Sequence, residues 1–287
     1  MTCSFTAIGT QWQVDLPGIS AEREISIEQL VRNRIALFEQ TYSRFRGDSF
    51  VAKMQSESGV FILPPDAKPM LDLYEALYHL TEGAFTPLIG SVLSEAGYDK
   101  LYRLVPHELH TPPAWKEVLE YSFPTLTTLA PVSLDFGGLG KGYIVDIVSM
   151  LLEKEGITTY TIDAGGDMCH RSDTEVLLRV GLEVPGDSTK AIGVAFFGNK
   201  SLCGSSGSRR AWANFHHIID PHTLLSPRDI IATWVVAETT LLADAMATCL
   251  FLVAPEKLER AYVFDYLILH HDFSITKSTG FPAELFV

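Results

Sequence analysis

The chain has 287 residues, 47% hydrophobic and 20% charged, enough for one large domain or two intimate lobes around a sizeable core. Its formal net charge of −13 argues against nucleic acid as a partner, so any phosphate must be held locally, by a metal ion or a small cluster of N–H groups and lysine. No apolar run approaches the roughly 20 residues that cross a bilayer, Met1-Thr2-Cys3-Ser4-Phe5 lacks the basic and apolar regions of a signal peptide, and four scattered cysteines show no CxxC spacing, which together predict a cytoplasmic protein with reduced thiols, no transmembrane segment and no zinc site.

Taken in order, Ala7 to Val14 reads as a strand, and the turn from Gly18 to Ala21 leads to a helix capped at Ser26, with Gln29 completing a capping box. Ile27, Leu30, Val31, Ile35, Phe38, Tyr42 and Phe45 recur at helical spacing and predict one buried face. Phe45 lies in the polar loop Ser43 to Ser49, where it either completes the core or stacks on a planar ligand. A second helix follows Pro64-Pro65, with Met70, Leu73, Tyr74, Leu77 and Leu80 on one stripe and Gly83 as its C′ residue. From Glu95 to Pro124 no period holds, which predicts loops and short pieces around Trp115 to Tyr121.

Ser133 to Asp146 then reads as a short apolar strand joined to an amphipathic helix through Gly137, Gly138, Gly140 and Gly142 around Lys141. Such a loop suits an anion: glycines tolerate positive φ and close approach, helix N–H groups point outward, and Lys141 adds a charge. It is neither a Walker P-loop, since Asp135 and Gly142 stand where glycine and Ser/Thr belong, nor GxGxxG. The helix carries Ile144, Ile147, Val148, Leu151 and Leu152 and closes at Gly156. Thr158 to Ala164 reads as a buried strand before Gly165-Gly166-Asp167. Further strands are expected at Val176 to Glu183, Ala191 to Phe197, Ser201 to Cys203, Phe215 to Ile219 and Ile231 to Val236, interrupted by polar turns at Gly204 to Arg210 and Asp220 to Thr223. A last helix spans about Thr240 to Val253, and strands at Tyr266 to His270 and Phe273 to Thr276 close the chain. This order predicts an α+β fold rather than strict βαβ alternation.

Asp244 and Thr248, four apart on the last helix, project from one face and offer the hard oxygens that suit Mg²⁺. The competing reading has Thr248 bonding back to the Asp244 carbonyl, against which stands the apolar run around Asp244, which leaves that carboxylate in need of a partner. His216, His217, Asp220 and His222 form the densest titratable cluster; alternation along a strand lets at most one of His216 and His217 face a site, as a general base or as a satisfied structural histidine.

With these pieces in place the chain resembles the ApbE family of FAD:protein FMN transferases, from about Ile8 to Phe281. The resemblance rests on Ile8-Gly9-Thr10, Ser43-Arg44-Phe45 with Asp48-Ser49, Gly83-Ala84-Phe85, Leu134 to Asp146, Ala164 to Asp167, Ser206-Gly207, His217 to Pro221 and Ala243 to Thr248. It implies a T-fold-like architecture of mixed or antiparallel sheets with packed helices, as one domain over 1–287. It implies FAD as substrate, with Ile8, Phe45, Ala84, Phe85, Thr86, Gly137, Gly138, Tyr143 and Ile218 around it, and Mg²⁺ held by Asp244, Thr248 and the Gly140 carbonyl. His217, oriented by Asp220, is the implied base and Lys141 the implied partner of phosphate charge. The implied reaction attaches FMN to a Thr or Ser hydroxyl of an acceptor protein and releases AMP; an FAD pyrophosphatase giving FMN and AMP, or a non-catalytic flavin-binding protein, are the alternatives. The chain departs from the family pattern at Thr86 (usually Asp), Leu224 (usually Gly), Ser205 (commonly Thr) and Gly140 (commonly Ala). Many family members are exported lipoproteins, whereas this sequence carries no signal or lipid-attachment cysteine.

Overall fold

The computed structural model describes residues 2–286. At the start, the expected single strand is a hairpin: Thr2–Ala7 pairs antiparallel with Thr10–Asp15 through Ile8 and Gly9, both at positive φ (49° and 67°). A two-residue loop with both residues left-handed matches the twist of paired strands. Alternation then turns Cys3, Phe5, Trp12 and Val14 inward.

The first helix runs Ala21–Tyr42 and is capped by Ser20, whose side chain accepts from Arg23 N, not by Ser26. Ser26 lies inside the helix and donates to the Glu22 carbonyl at 3.2 Å. A Ser-x-x-Gln spacing is compatible with either position, and the cap falls where the chain leaves its turn. Ile27, Val31, Ile35, Phe38 and Tyr42 form the buried face as expected, while Leu30 is exposed. The second helix is Lys68–Leu80, and Gly83, at φ 89°, donates to the Tyr78 carbonyl to end it.

Eight strands make the main sheet, each antiparallel to its neighbour, in the order Thr2–Ala7, Thr10–Asp15, Tyr160–Ala164, Asp167–Arg171, Ser201–Ser206, Ile230–Ala237, Asp265–His270 and Ile275–Lys277. Helices Gly140–Lys154 and Thr240–Cys249 cross one another and lie against it. The opposite face of its later strands is covered by a three-stranded sheet of Ala283–Leu285, Asp187–Phe197 and Leu178–Val184. Two cores result. Cys203 and Val235 point into the helical core, and Leu202, Trp234 and Val236 into the second, which is why Ile230–Ala237 is apolar without alternation. A third sheet, Gly59–Ile62, Thr125–Thr128 and Leu119–Ser122, falls partly in the aperiodic region. Its four-residue strands, like Asp167–Arg171 and Ala283–Leu285, are too short to leave a readable period. The helix that begins at Thr240 ends at Cys249, earlier than expected, and a short helix, Pro255–Glu259, follows it. The α+β class with antiparallel sheets holds, and no helix among the described residues is long and apolar enough to cross a membrane.

Candidate active site

Residues 131–136 belong to no strand, so the expected strand before the glycine loop is absent. The glycines also serve a different purpose from the expected one, because none of Gly137, Gly138, Gly140 or Gly142 has positive φ. What three of them supply is room. A Cβ on Gly138 would stand 2.8 Å from the Phe85 ring, one on Gly137 2.7 Å from Asp135 Oδ1, and one on Gly142 2.6 Å from Asp244 Cβ and closer still to the Thr240 carbonyl. Gly137 N–H donates to Asp135 Oδ1 at 2.6 Å, and Asp135 is in turn ion-paired with Arg44. Arg44 also donates to the Tyr98 carbonyl at 2.8 Å and to Ser94 Oγ at 3.3 Å, so one buried guanidinium ties the glycine loop to two other segments.

Behind the loop, the crossing helices exchange carboxylates. Gly142 N–H donates to Asp244 Oδ2 at 2.8 Å, and Asp146 accepts from Thr240 N and Leu241 N, both at 2.8 Å. Each helix thus caps the N-terminal turn of the other. Lys141 reaches from the same turn to ion-pair with Asp167, which leaves Asp167 Oδ1 buried without a partner. Burial, and then the nearby Asp167 carboxylate, raise the Asp244 pKa against the opposing pull of Lys141. For Lys141 burial works downward, but the Asp167 and Asp244 carboxylates outweigh it and hold the ammonium charged.

These groups fit a hard divalent cation. Asp244 and Asp167 are both buried here, and Asp167 Oδ1 has no hydrogen-bond partner. Thr248 and Gly140 border the cavity in front of the loop, and no hydrogen bond joins the Thr248 hydroxyl to the Asp244 carbonyl among the described residues. No three His, Cys, Asp or Glu side chains converge among the described residues. Such sparse ligation suits Mg²⁺, which keeps waters and substrate oxygens in its shell.

One cavity opens in front of the loop. Ile8, Phe45, Ala84, Phe85, Thr86 and Ile218 border it with Gly137, Gly138, Gly140, Lys141, His217 and Thr248. Three residues assigned with them do not. Asp244 lies beneath the wall, its carboxylate turned to Gly142. Tyr143 packs against Phe38 and donates to the Asp66 carbonyl at 2.5 Å. Asp220 accepts the His222 N–H at 2.8 Å in its own turn, with no hydrogen bond to His217 among the described residues, so the assigned orienting role has no contact behind it. Thr86 Oγ1 accepts the Leu88 N–H at 3.2 Å and caps a short turn, a role a serine or aspartate would also fill. Leu224, where glycine is usual, sits at φ 59°, a conformation that costs an L-residue about 1 kcal/mol or more. Phe45 combines both readings: it stacks on Tyr102 at 5.4 Å, stands edge-on to Tyr98 at 5.3 Å and still borders the cavity.

The two histidines separate, although the expected strand from Phe215 to Ile219 covers only Phe215–His216 and leaves His217 in a bend. His216 is buried away from the cavity, with Nε2 2.8 Å from the Pro227 carbonyl and Nδ1 accepting from Ile218 N at 3.3 Å. His217 borders the cavity; burial first, then the charges of Arg210, His216 and Lys141, push its pKa down to about 3, and Nδ1 is buried without a partner. Its imidazole is therefore neutral, and the same burial and charges oppose its protonation. Sequence reasoning missed Tyr98, Tyr102 and Arg210, which also border the cavity. The two tyrosines come from the aperiodic stretch, and Arg210 stood in a polar turn whose glycines were its sole signal.

Comparison with known proteins agrees with this geometry. A model of the ApbE family matches residues 8–264. The FAD:protein FMN transferase of Escherichia coli (strain K12) is 25% identical over 279 residues, covering 87% of this chain and 77% of that protein. That of Treponema pallidum (strain Nichols) is 26% identical over 255 residues, covering 76% and 69%. Among solved structures, the flavin transferase ApbE from Vibrio cholerae aligns with a TM-score of 0.79 at 20% identity over 97% of this chain and 96% of that one. The ApbE protein from Thermotoga maritima gives 0.81 at 19% identity over 97% of both. At such identities the structures speak for the fold.

Proposed function

The chain belongs to the ApbE family, and on that premise we propose that it transfers FMN from FAD to a Thr or Ser hydroxyl of an acceptor protein and releases AMP, with Mg²⁺ at the pyrophosphate. The acceptor oxygen forms a bond to the phosphorus on the FMN side, the phosphoanhydride bond to AMP breaks with its electron pair, and the hydroxyl proton goes to His217. The observation that carries the reading is the shared cavity: the glycine loop, Lys141, His217 and Thr248 come from distant segments and border one space walled by Phe45, Tyr74 and Phe85. Aromatic walls suit flavin or adenine rings, and the glycine loop leaves its N–H groups near the phosphates.

Asp244, Thr248 and the Gly140 carbonyl would hold Mg²⁺, which would supply charge neutralisation on the non-bridging oxygens. Lys141 stays protonated beside Asp167 and adds a fixed positive charge to that wall. His217 borders the same cavity with its ring neutral.

Incubation of the protein with FAD and Mg²⁺, with and without an acceptor peptide carrying a target threonine, tests the reading by chromatography and mass spectrometry. A peptide that gains the mass of FMN while AMP accumulates is the expected result. AMP with free FMN in the absence of peptide would make the enzyme a pyrophosphatase, and intact FAD throughout would leave only flavin binding.

A further inference from the structure

Three cations border the cavity: Arg44, Lys141 and Arg210. Arg44 is buried in its ion pair with Asp135, and Lys141 pairs with Asp167. Arg210 meets no carboxylate within ion-pair distance among the described residues. Its side chain donates instead to the neutral Tyr98 hydroxyl, Nη1 to Oη at 3.2 Å. A half-buried guanidinium whose fork of five donors meets one neutral oxygen is a built receptor for an anion.

Its position is held from both ends. The Arg210 carbonyl accepts the His217 N–H at 3.1 Å, beside the two-stranded ribbon of Ala211–Trp212 and Phe215–His216. At the other end Tyr98 is buried, stacked on Trp212 at 5.4 Å and edge-on to Phe45 at 5.3 Å. The charge of Arg210 bears on both His217 and Asp244.

We propose that Arg210 is a further catalytic residue, its guanidinium binding non-bridging oxygens of the FAD pyrophosphate and taking up the charge that builds as the bond to AMP breaks. This rests on the transferase reading of the same site. Arg210 exchanges no proton: the new oxygen–phosphorus bond forms, the electron pair of the broken bond leaves on the AMP phosphate, and the hydroxyl proton goes to His217. A guanidinium fork matches paired phosphate oxygens and keeps its charge at any working pH.

The test measures AMP release, together with equilibrium binding of FAD and of riboflavin, which lacks the phosphates, for the wild type, Arg210→Gln, Arg210→Lys and Tyr98→Phe. Arg210→Gln should lower kcat/KM for AMP release by about 100-fold or more and weaken FAD about tenfold, while riboflavin binding stays unchanged. Arg210→Lys should recover part of the loss by restoring the charge without the fork, and Tyr98→Phe should lose less than Arg210→Gln. An Arg210→Gln protein with wild-type rate and FAD affinity overturns the proposal. If that variant loses riboflavin as well, the lysine variant decides: a well-folded Arg210→Lys that weakens FAD and riboflavin equally overturns it too. A wild type that neither releases AMP nor prefers FAD to riboflavin overturns the transferase reading itself, and the role of Arg210 with it.

Discussion

Gly142 donates its backbone N–H to the carboxylate of Asp244 at 2.8 Å, across a helix crossing so close that a Cβ on Gly142 would stand 2.6 Å from that of Asp244. The contact positions the candidate metal ligand directly from the glycine loop. Gly142→Ala should therefore push the helices apart, with a loss of about 1–3 kcal/mol typical of overpacking. Thermal unfolding should show a lowered Tm and AMP release should fall with it; an alanine variant of unchanged stability would mean that the crossing yields freely.

Asp146 does the reverse service for the last helix, accepting from Thr240 N and Leu241 N. Removing it by Asp146→Ala leaves two N–H groups of the first turn unpaired, a loss of about 1–2 kcal/mol by the range known for caps. Asp146→Asn keeps one acceptor oxygen and should recover about half of that. Urea unfolding of the three proteins checks the order.

Arg44 and Asp135 form a pair that is buried on both sides. Breaking such a pair from one end leaves a buried charge, and Arg44→Ala should cost about 3–5 kcal/mol. Arg44→Lys keeps the charge and loses the contacts to Ser94 and Tyr98, so it should fold but hold the glycine loop less firmly. The expected signature is a raised KM for FAD with a smaller change in kcat, and an Arg44→Lys enzyme with wild-type constants would count against the clamp.

His217 gives a pH prediction. Its folded pKa is lowered from an ordinary value of 6.5 to about 3, so between those values the unfolded chain binds a proton that the folded chain refuses. Stability contributed by the neutral ring is intact above the unfolded pKa and is lost as pH falls toward the folded one. Carbon-labelled histidine spectra should show no His217 titration between about pH 5 and 8. A midpoint near the ordinary value would mean that water reaches the ring.

Asp244→Ala and Thr248→Ala should each abolish the rise in Tm that Mg²⁺ and FAD together produce in the wild type, by the linkage of binding to stability. Calorimetric titration of Mg²⁺ in the presence of FAD gives an independent readout. Retained Mg²⁺ binding in Asp244→Ala would move the cation elsewhere.

Much of this was legible along the chain because it depends on local geometry. Asp244 and Thr248 are one helical turn apart, so their shared face follows from spacing, and an Asp in so apolar a helix needs a buried partner. His216 and His217 diverge as expected, but by the end of the strand at His216 rather than by alternation along it. The glycines of Ser133 to Asp146 marked a close approach without revealing that it was to Phe85 and Asp244 rather than a matter of positive φ. The Ser20 and Ser26 caps could not be told apart, since both satisfy local spacing and only the path of the preceding chain chooses.

By itself the sequence determined the α+β class, most of the helical and strand faces and the placing of Asp244 and Thr248 one turn apart, because these rest on periods of 3.6 and 2 that covalent geometry imposes. Only the tertiary structure decided the partner of each charge: Asp135 for Arg44, Asp167 for Lys141, Gly142 for Asp244, and the Tyr98 hydroxyl for Arg210. Arg44 meets its hydrogen-bond partners 50 to 91 residues away and Gly142 is 102 from Asp244, separations at which local spacing carries no information. A buried charge takes whichever polar group packing brings to it, and that choice is made by the whole fold.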